Sequence, residues 1–160
     1  MRSRTFVSVG RGADGTQRGY GPAVAIREKQ IPYAVTLDRD GSIAAEGNEA
    51  IRFEDEWTPE HLLLAALARC CVGALRIHAA RHSLELAGTA HASGTVGRRD
   101  DGSWGFLELE CRATIELLPQ PDEETLLELI GKAERGCFIG GSLRPEPVYA
   151  WTINGREVPR

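Results

Sequence analysis

Leu62-Leu-Leu-Ala-Ala-Leu-Ala-Arg-Cys-Cys-Val-Gly-Ala-Leu75 is a fourteen-residue run whose one charge is Arg69. It constrains the fold more than any other segment. Thr58-Pro59-Glu60 stands just before it: a hydroxyl N-cap, a proline at the first helical position and an acid in the positive first turn. The pattern predicts a helix from Pro59 to about His82, with Ser83 beyond it. A helix apolar nearly all round belongs in an interior, not on a surface. The run falls short of the roughly 20 residues that span a bilayer, and Arg69 interrupts it, so no membrane partner is expected. The rest of the chain must therefore enclose a helix.

The segments available for that purpose are mostly strands. Phe6–Val9 alternates, Gly10–Gly21 is a glycine-rich turn holding Arg11 and Arg18, and Pro22–Arg27 and Ile31–Asp38 read as extended. Asp38-Arg-Asp-Gly41 is a turn before Ser42–Ala45. Leu84–Val96 and Trp104–Leu118 form a long hairpin. In its second strand Leu107, Leu109, Cys111, Ala113, Ile115 and Leu117 share the apolar face. Pro119 and Pro121 end that strand, and a second helix over Asp122–Arg135 stops at Gly136 as a C′ residue. Cys137–Leu143 then leads as a turn into a last strand, Val148–Ile153. Strands and two helices in this order predict an α+β fold in a single domain over residues 1–160.

Nineteen basic and 23 acidic residues leave a net charge of −4, which gives no electrostatic reason to expect nucleic acid. The N-terminal residues lack an apolar signal segment, so a cytoplasmic location is expected. In a reducing compartment the four cysteines, 70, 71, 111 and 137, need not be a disulfide framework. No cofactor or metal is expected. His78 and His82 lie four apart on one helix face with Cys71 seven residues before His78, a possible metal set, but histidines ending a helix are ordinarily solvated. The glycine-rich segment lacks the strand and Lys-Ser/Thr context of a phosphate loop.

Cys111 sits on an apolar strand face and reads as packing. Cys70 and Cys71 lie about 15 Å into their helix, beyond the dipole's first turn, so a thiolate there requires a separate cation. Without one, both read as packing. Cys137 follows a helix C-terminus, where a first nucleophile is disfavoured; it is either a packing residue or a thiol that resolves a sulfenic acid formed elsewhere. Glu60, ten residues before Cys70, is also about 15 Å from it on a straight helix. The two can meet only across two antiparallel copies.

Pro59-Glu60-His61-Leu62-Leu63-Leu64-Ala65-Ala66-Leu67-Ala68-Arg69-Cys70 resembles the P-E-x-L-x-x-A-x-x-x-x-C helix signature of the OsmC/Ohr family, the osmotically inducible and organic hydroperoxide resistance proteins. Ala133-Glu-Arg-Gly-Cys137 resembles the family's second-cysteine segment. Arg18-Gly19-Tyr20-Gly21 resembles its N-terminal arginine turn, with Arg11 and Arg27 as rivals. The resemblance implies antiparallel sheets wrapped around a long buried central helix in an intertwined homodimer. It further implies a thiol peroxidase in which Cys70 attacks an organic hydroperoxide, Arg18 stabilises its thiolate, Glu60 orients that arginine and Cys137 resolves the sulfenic acid. A small dithiol or dithiol protein would then reduce the disulfide. Arg69 and Cys71 beside Cys70, and Phe-Ile-Gly-Gly-Ser after Cys137, depart from the better-known hydroperoxide reductases and place the chain nearer the OsmC-like branches. The alternative is a non-catalytic binding or redox-sensing protein that uses the same interface pocket.

Overall fold

A computed structural model describes residues 30–45, 47–53 and 57–159. The expected strands at Phe6–Val9 and Pro22–Arg27, the turn Gly10–Gly21, and Arg11, Arg18 and Arg27 lie outside the described residues. The chain divides into two units, Met1–Ala50 and Ile51–Arg160. In the first, β1 (Val35–Leu37) pairs antiparallel with β2 (Ile43–Ala45). The Asp38–Gly41 turn that joins them forms as its sequence predicts. The Gly41 N–H donates to Asp38 O at 3.1 Å, and the Ser42 hydroxyl closes on Asp40 Oδ1 at 2.6 Å. Gly41 has φ +78°, a left-handed value that costs a side-chain-free residue little.

The second unit opens with α1 (Pro59–Arg81), continues with β3 (Glu85–Arg98), β4 (Trp104–Leu118), α2 (Glu123–Arg135) and α3 (Phe138–Ser142), and closes with β5 (Val148–Ile153) and β6 (Arg156–Glu157). The sheet order is β3-β4-β5-β6, with β4 and β5 parallel and the other neighbours antiparallel. Its apolar face carries Cys111, Ala113, Ile115 and Leu117 from β4 and Tyr149, Trp151 and Ile153 from β5. Leu67, Cys71, Ala74 and Leu75 of α1 and Leu129, Ile130 and Ala133 of α2 complete one core with it. Mixed sheet and helices give the expected α+β class.

Thr58 caps α1 as predicted. Its hydroxyl accepts from the His61 N–H, and the His61 ring accepts from the Thr58 N–H at 3.2 Å, a reciprocal box in which histidine takes the usual Glu or Gln place. The helix ends at His82 as its C-cap, and Ser83 turns the chain at φ +57°. Burial of α1 is one-sided within a single chain: of its most apolar 18 residues, 28% are buried, and Ile77 remains 59% exposed. At 23 residues α1 also exceeds the apolar run that announced it, and by length and composition it is long enough to cross a bilayer.

Three local expectations need correction, and one short strand is additional to them. Leu107 is exposed, not in the core, because the ladder shifts between Thr95 and Val96: Thr95 pairs with Glu108 and Val96 with Phe106, which skips Leu107. Its side chain covers Gly97 instead, where an added Cβ would meet Leu107 Cδ1. Gly136 is the C-cap of α2 with φ −86°, not a left-handed C′ residue. There it brings the backbone close to its neighbours, since a Cβ would lie 3.0 Å from Lys132 O and 3.7 Å from His78 Nε2. The segment after Cys137 is a short helix, α3, not an open turn. Finally β6 was not foreseen; Asn154 (φ +49°) and Gly155 (φ +76°) form the tight turn before it, the Asn-Gly signal of a two-residue hairpin.

Candidate functional site

The two adjacent thiols of α1 point into different surroundings. Successive helical residues are about 100° apart around the axis, so neighbours in sequence cannot share a face. Cys71 faces the sheet, is 1% exposed and bonds to the fully buried Cys111 of β4. In that pair the Cys71 thiol is held up first by its bond to Cys111 and then by burial, while Cys111 accepts the bond and is the member favoured to carry charge. Both sequence assignments as packing residues agree with this placement.

Cys70, by contrast, is only partly buried. It lines an apolar groove with Ala66, Gly73, Ala74, Ile77 and Phe138, and Arg69 stands on its rim. Behind the groove lies Cys137, the N-cap residue of α3, itself 1% exposed and within hydrogen-bonding reach of Cys70. These cysteines are 67 positions apart in sequence. The α1–α2 packing and the turn at Gly136 bring them together. All four thiols are free.

Cys137 has a further partner. The Tyr149 hydroxyl of β5 lies against its sulfur, with Gly140 of α3 beside both atoms. Burial pushes the Cys137 thiol up, Tyr149 and Gly140 pull it down, and the neighbouring Cys70 adds a smaller upward push; the net direction is up. Tyr149 is pushed up as well, by burial and then by its bond to Cys137. Gly140 leaves room for this contact. An added Cβ would overlap Tyr149 Oη and lie 3.3 Å from Cys137 Sγ. Sequence reasoning missed Tyr149. The only available signal was the strand alternation that turns Tyr149, Trp151 and Ile153 inward together.

The remaining candidates lie elsewhere. Glu60 occupies the second position of α1, exposed, with its carboxyl held low by backbone and Thr58 hydrogen bonds. It stands about 15 Å along the axis from Cys70, so one chain does not join them. Arg18 is outside the described residues. His78 lies against Gly136 and is pushed down by partial desolvation and then by Arg81, Lys132 and Arg135. Cys71 lies about 10 Å back along α1 and is buried against Cys111. Among the described residues no group of histidine, cysteine and carboxylate side chains is arranged to hold a metal ion. A second pocket, between Pro121, Leu126, Asn154 and Val158, contains none of the residues singled out by the sequence.

The fold has counterparts. The chain is similar in fold to an OsmC-like protein of unknown function from Vibrio cholerae, at 19% identity and a TM-score of 0.63, over 78% of this chain and 99% of that one. It is likewise similar to an organic hydroperoxide resistance protein from Elizabethkingia anophelis, at 21% identity and a TM-score of 0.57, over 79% and 97%. A hypothetical protein from Aquifex aeolicus matches at 15% identity and a TM-score of 0.58, over 79% and 98%. No curated protein matches by sequence. The family profile described as OsmC-like protein matches residues 52–152, which hold α1 with its cysteine pair, the long hairpin, Cys137 and Tyr149. The chain belongs to the OsmC-like family.

Proposed function

We propose that the chain is a thiol-dependent peroxidase that reduces organic hydroperoxides, and hydrogen peroxide less well. The observation that carries this reading is the contact between a groove-lining thiol, Cys70, and a buried one, Cys137, contributed by separate helices. Cys70 thiolate attacks the distal peroxide oxygen. The O–O bond breaks, an alcohol leaves with a proton, and Cys70 becomes a sulfenic acid. Cys137 sulfur then attacks Cys70 sulfur, the S–O bond breaks and water leaves. The resulting disulfide is reduced by a small dithiol or dithiol protein. The groove walls of Ala66, Gly73, Ala74, Ile77 and Phe138 favour an organic group over the bare peroxide.

Two parts of the cycle come from outside the described chain. Arg18 supplies the cation that a mid-helix thiolate needs, and Glu60 from a second copy orients it. A homodimer accounts for both the exposed side of α1 and the distance of Glu60 from Cys70 within one chain. The cycle belongs in the cytoplasm, where reductants return the thiols.

Mass spectrometry after one equivalent of cumene hydroperoxide tests the reading. The wild-type chain should lose two hydrogens and yield a cross-linked pair of peptides containing Cys70 and Cys137. The same link should form more slowly in Arg18→Ala. Unreacted thiols in the wild type would sink the peroxidase reading in favour of a non-catalytic binding protein, and a Cys70–Cys71 link would replace the resolving role of Cys137.

A further inference from the structure

Cys137 faces a chemical problem that Cys70 does not share. It must act as a nucleophile toward Cys70, and later leave from it, while 1% exposed. Water cannot solvate its charge there, and burial favours the neutral thiol. The protein places one fixed donor against this sulfur: the hydroxyl of Tyr149, a residue itself 6% exposed. The side-chain-free Gly140 admits Tyr149 Oη to this position. Packing alone does not require a phenol here. A phenylalanine would fill the same strand position between the inward-facing sheet residues.

We propose that Tyr149 is a further catalytic residue, whose hydroxyl stabilises the Cys137 thiolate in both halves of the thiol cycle. The inference rests on the peroxidase reading above. In the oxidative half Cys137 gives up its proton, its sulfur attacks the Cys70 sulfenic acid, and the departing hydroxide takes a proton to leave as water. In the reductive half a dithiol sulfur attacks Cys70, the S–S bond breaks, and the electron pair settles on Cys137 under the Tyr149 hydroxyl. The second dithiol sulfur then releases Cys70 as a cyclic disulfide forms. Tyr149 keeps its own proton throughout, consistent with the rise in its proton affinity from burial and from donation to sulfur.

Tyr149→Phe separates this role from packing. After one equivalent of cumene hydroperoxide, disulfide closure is followed by rapid alkylation, and the Cys70 sulfenic acid by dimedone labelling, from pH 6 to 10. Loss of one hydrogen bond to a charged group should slow closure about tenfold near neutral pH and move its pH profile upward by about one unit. The Cys70 sulfenic acid should form at an unchanged rate and accumulate. Site-specific 3-fluorotyrosine at position 149, a stronger donor of the same shape, should move the profile downward. If both profiles superimpose on the wild type, the proposal is overturned. If Tyr149→Phe does not fold, the fluorinated chain alone decides by the direction of its shift. A wild-type chain that forms no disulfide would instead refute the peroxidase reading itself.

Discussion

Ile77 and Phe138 are 59% and 71% exposed and flank the groove that holds Cys70. If a second copy covers this side of α1, these two residues report on it directly. Full burial of such a side chain contributes about 1.5–3 kcal/mol, so the exposed fractions correspond to about 2.5 kcal/mol for the two together in one protomer. A two-fold interface uses the same surface twice, which raises the figure to about 5 kcal/mol, or between three and four powers of ten in dimer dissociation constant. Association also immobilises side chains, so this is the upper end of the effect. The double variant Ile77→Ser, Phe138→Ser should therefore dissociate at concentrations where the wild type is dimeric, with each folded protomer intact. Sedimentation velocity across a dilution series measures the constants, and circular dichroism checks the fold. A wild type that remains monomeric at about 100 μM, or a double variant with an unchanged constant, refutes the reasoning.

Two further outcomes concern stability. The Cys71, Cys137 and Tyr149 groups all have proton affinities raised on folding. Their contribution is complete below the ordinary thiol and phenol values of about 8.5 and 10, and is lost as pH rises through the raised folded values, at about 1.4 kcal/mol per pH unit per group. Urea midpoints should accordingly fall above about pH 9, and Cys71→Ala should reduce the slope; a flat profile to pH 10.5 would contradict the burial argument. In β3, Gly88 pairs with Ile115 at φ +151°, and an added Cβ would overlap Thr114 O and lie 2.8 Å from Ile115 Cα. Gly88→Ala should cost about 2–3 kcal/mol in urea unfolding, and a cost below 0.5 kcal/mol would show that the two strands separate freely there.

What could be read from the chain followed the range of the forces involved. Thr58, Pro59 and Asp122 act on the backbone next to them, so both helix starts were legible. Strand β4 alternates because one side is buried, and five of its six predicted core residues are buried as expected. Leu107 escaped because a ladder shift depends on which residues of β3 it meets. The α3 turn escaped for another reason: Phe-Ile-Gly-Gly-Ser has two glycines in five residues, and its helix is held by the Gly141 N–H to Cys137 O bond at 2.9 Å and the Ser142 hydroxyl on Phe138 O at 2.7 Å. At the site, spacing from Pro59-Glu60 singled out Cys70 only through family resemblance. The meeting of Cys70 with Cys137 and of Cys71 with Cys111 is set by packing across long sequence separations, which no local pattern encodes.

The parallel pairing of β4 with β5 bears on when the site comes into being. Hairpin β3–β4 closes over a short turn, but β5 reaches β4 only after the chain has passed through α2 and α3. Cys137 and Tyr149 both ride on that connection or its far end. Non-local closures of this kind are entropically costly and come late in folding. The Cys71–Cys111 contact joins α1 to the early hairpin and the Cys70–Cys137 contact needs α2 packed on α1, whereas Tyr149 reaches Cys137 only when β5 docks. Tyr149 is therefore the last of the three side chains to arrive, and a chain that has not closed its sheet holds the two thiols without its hydroxyl.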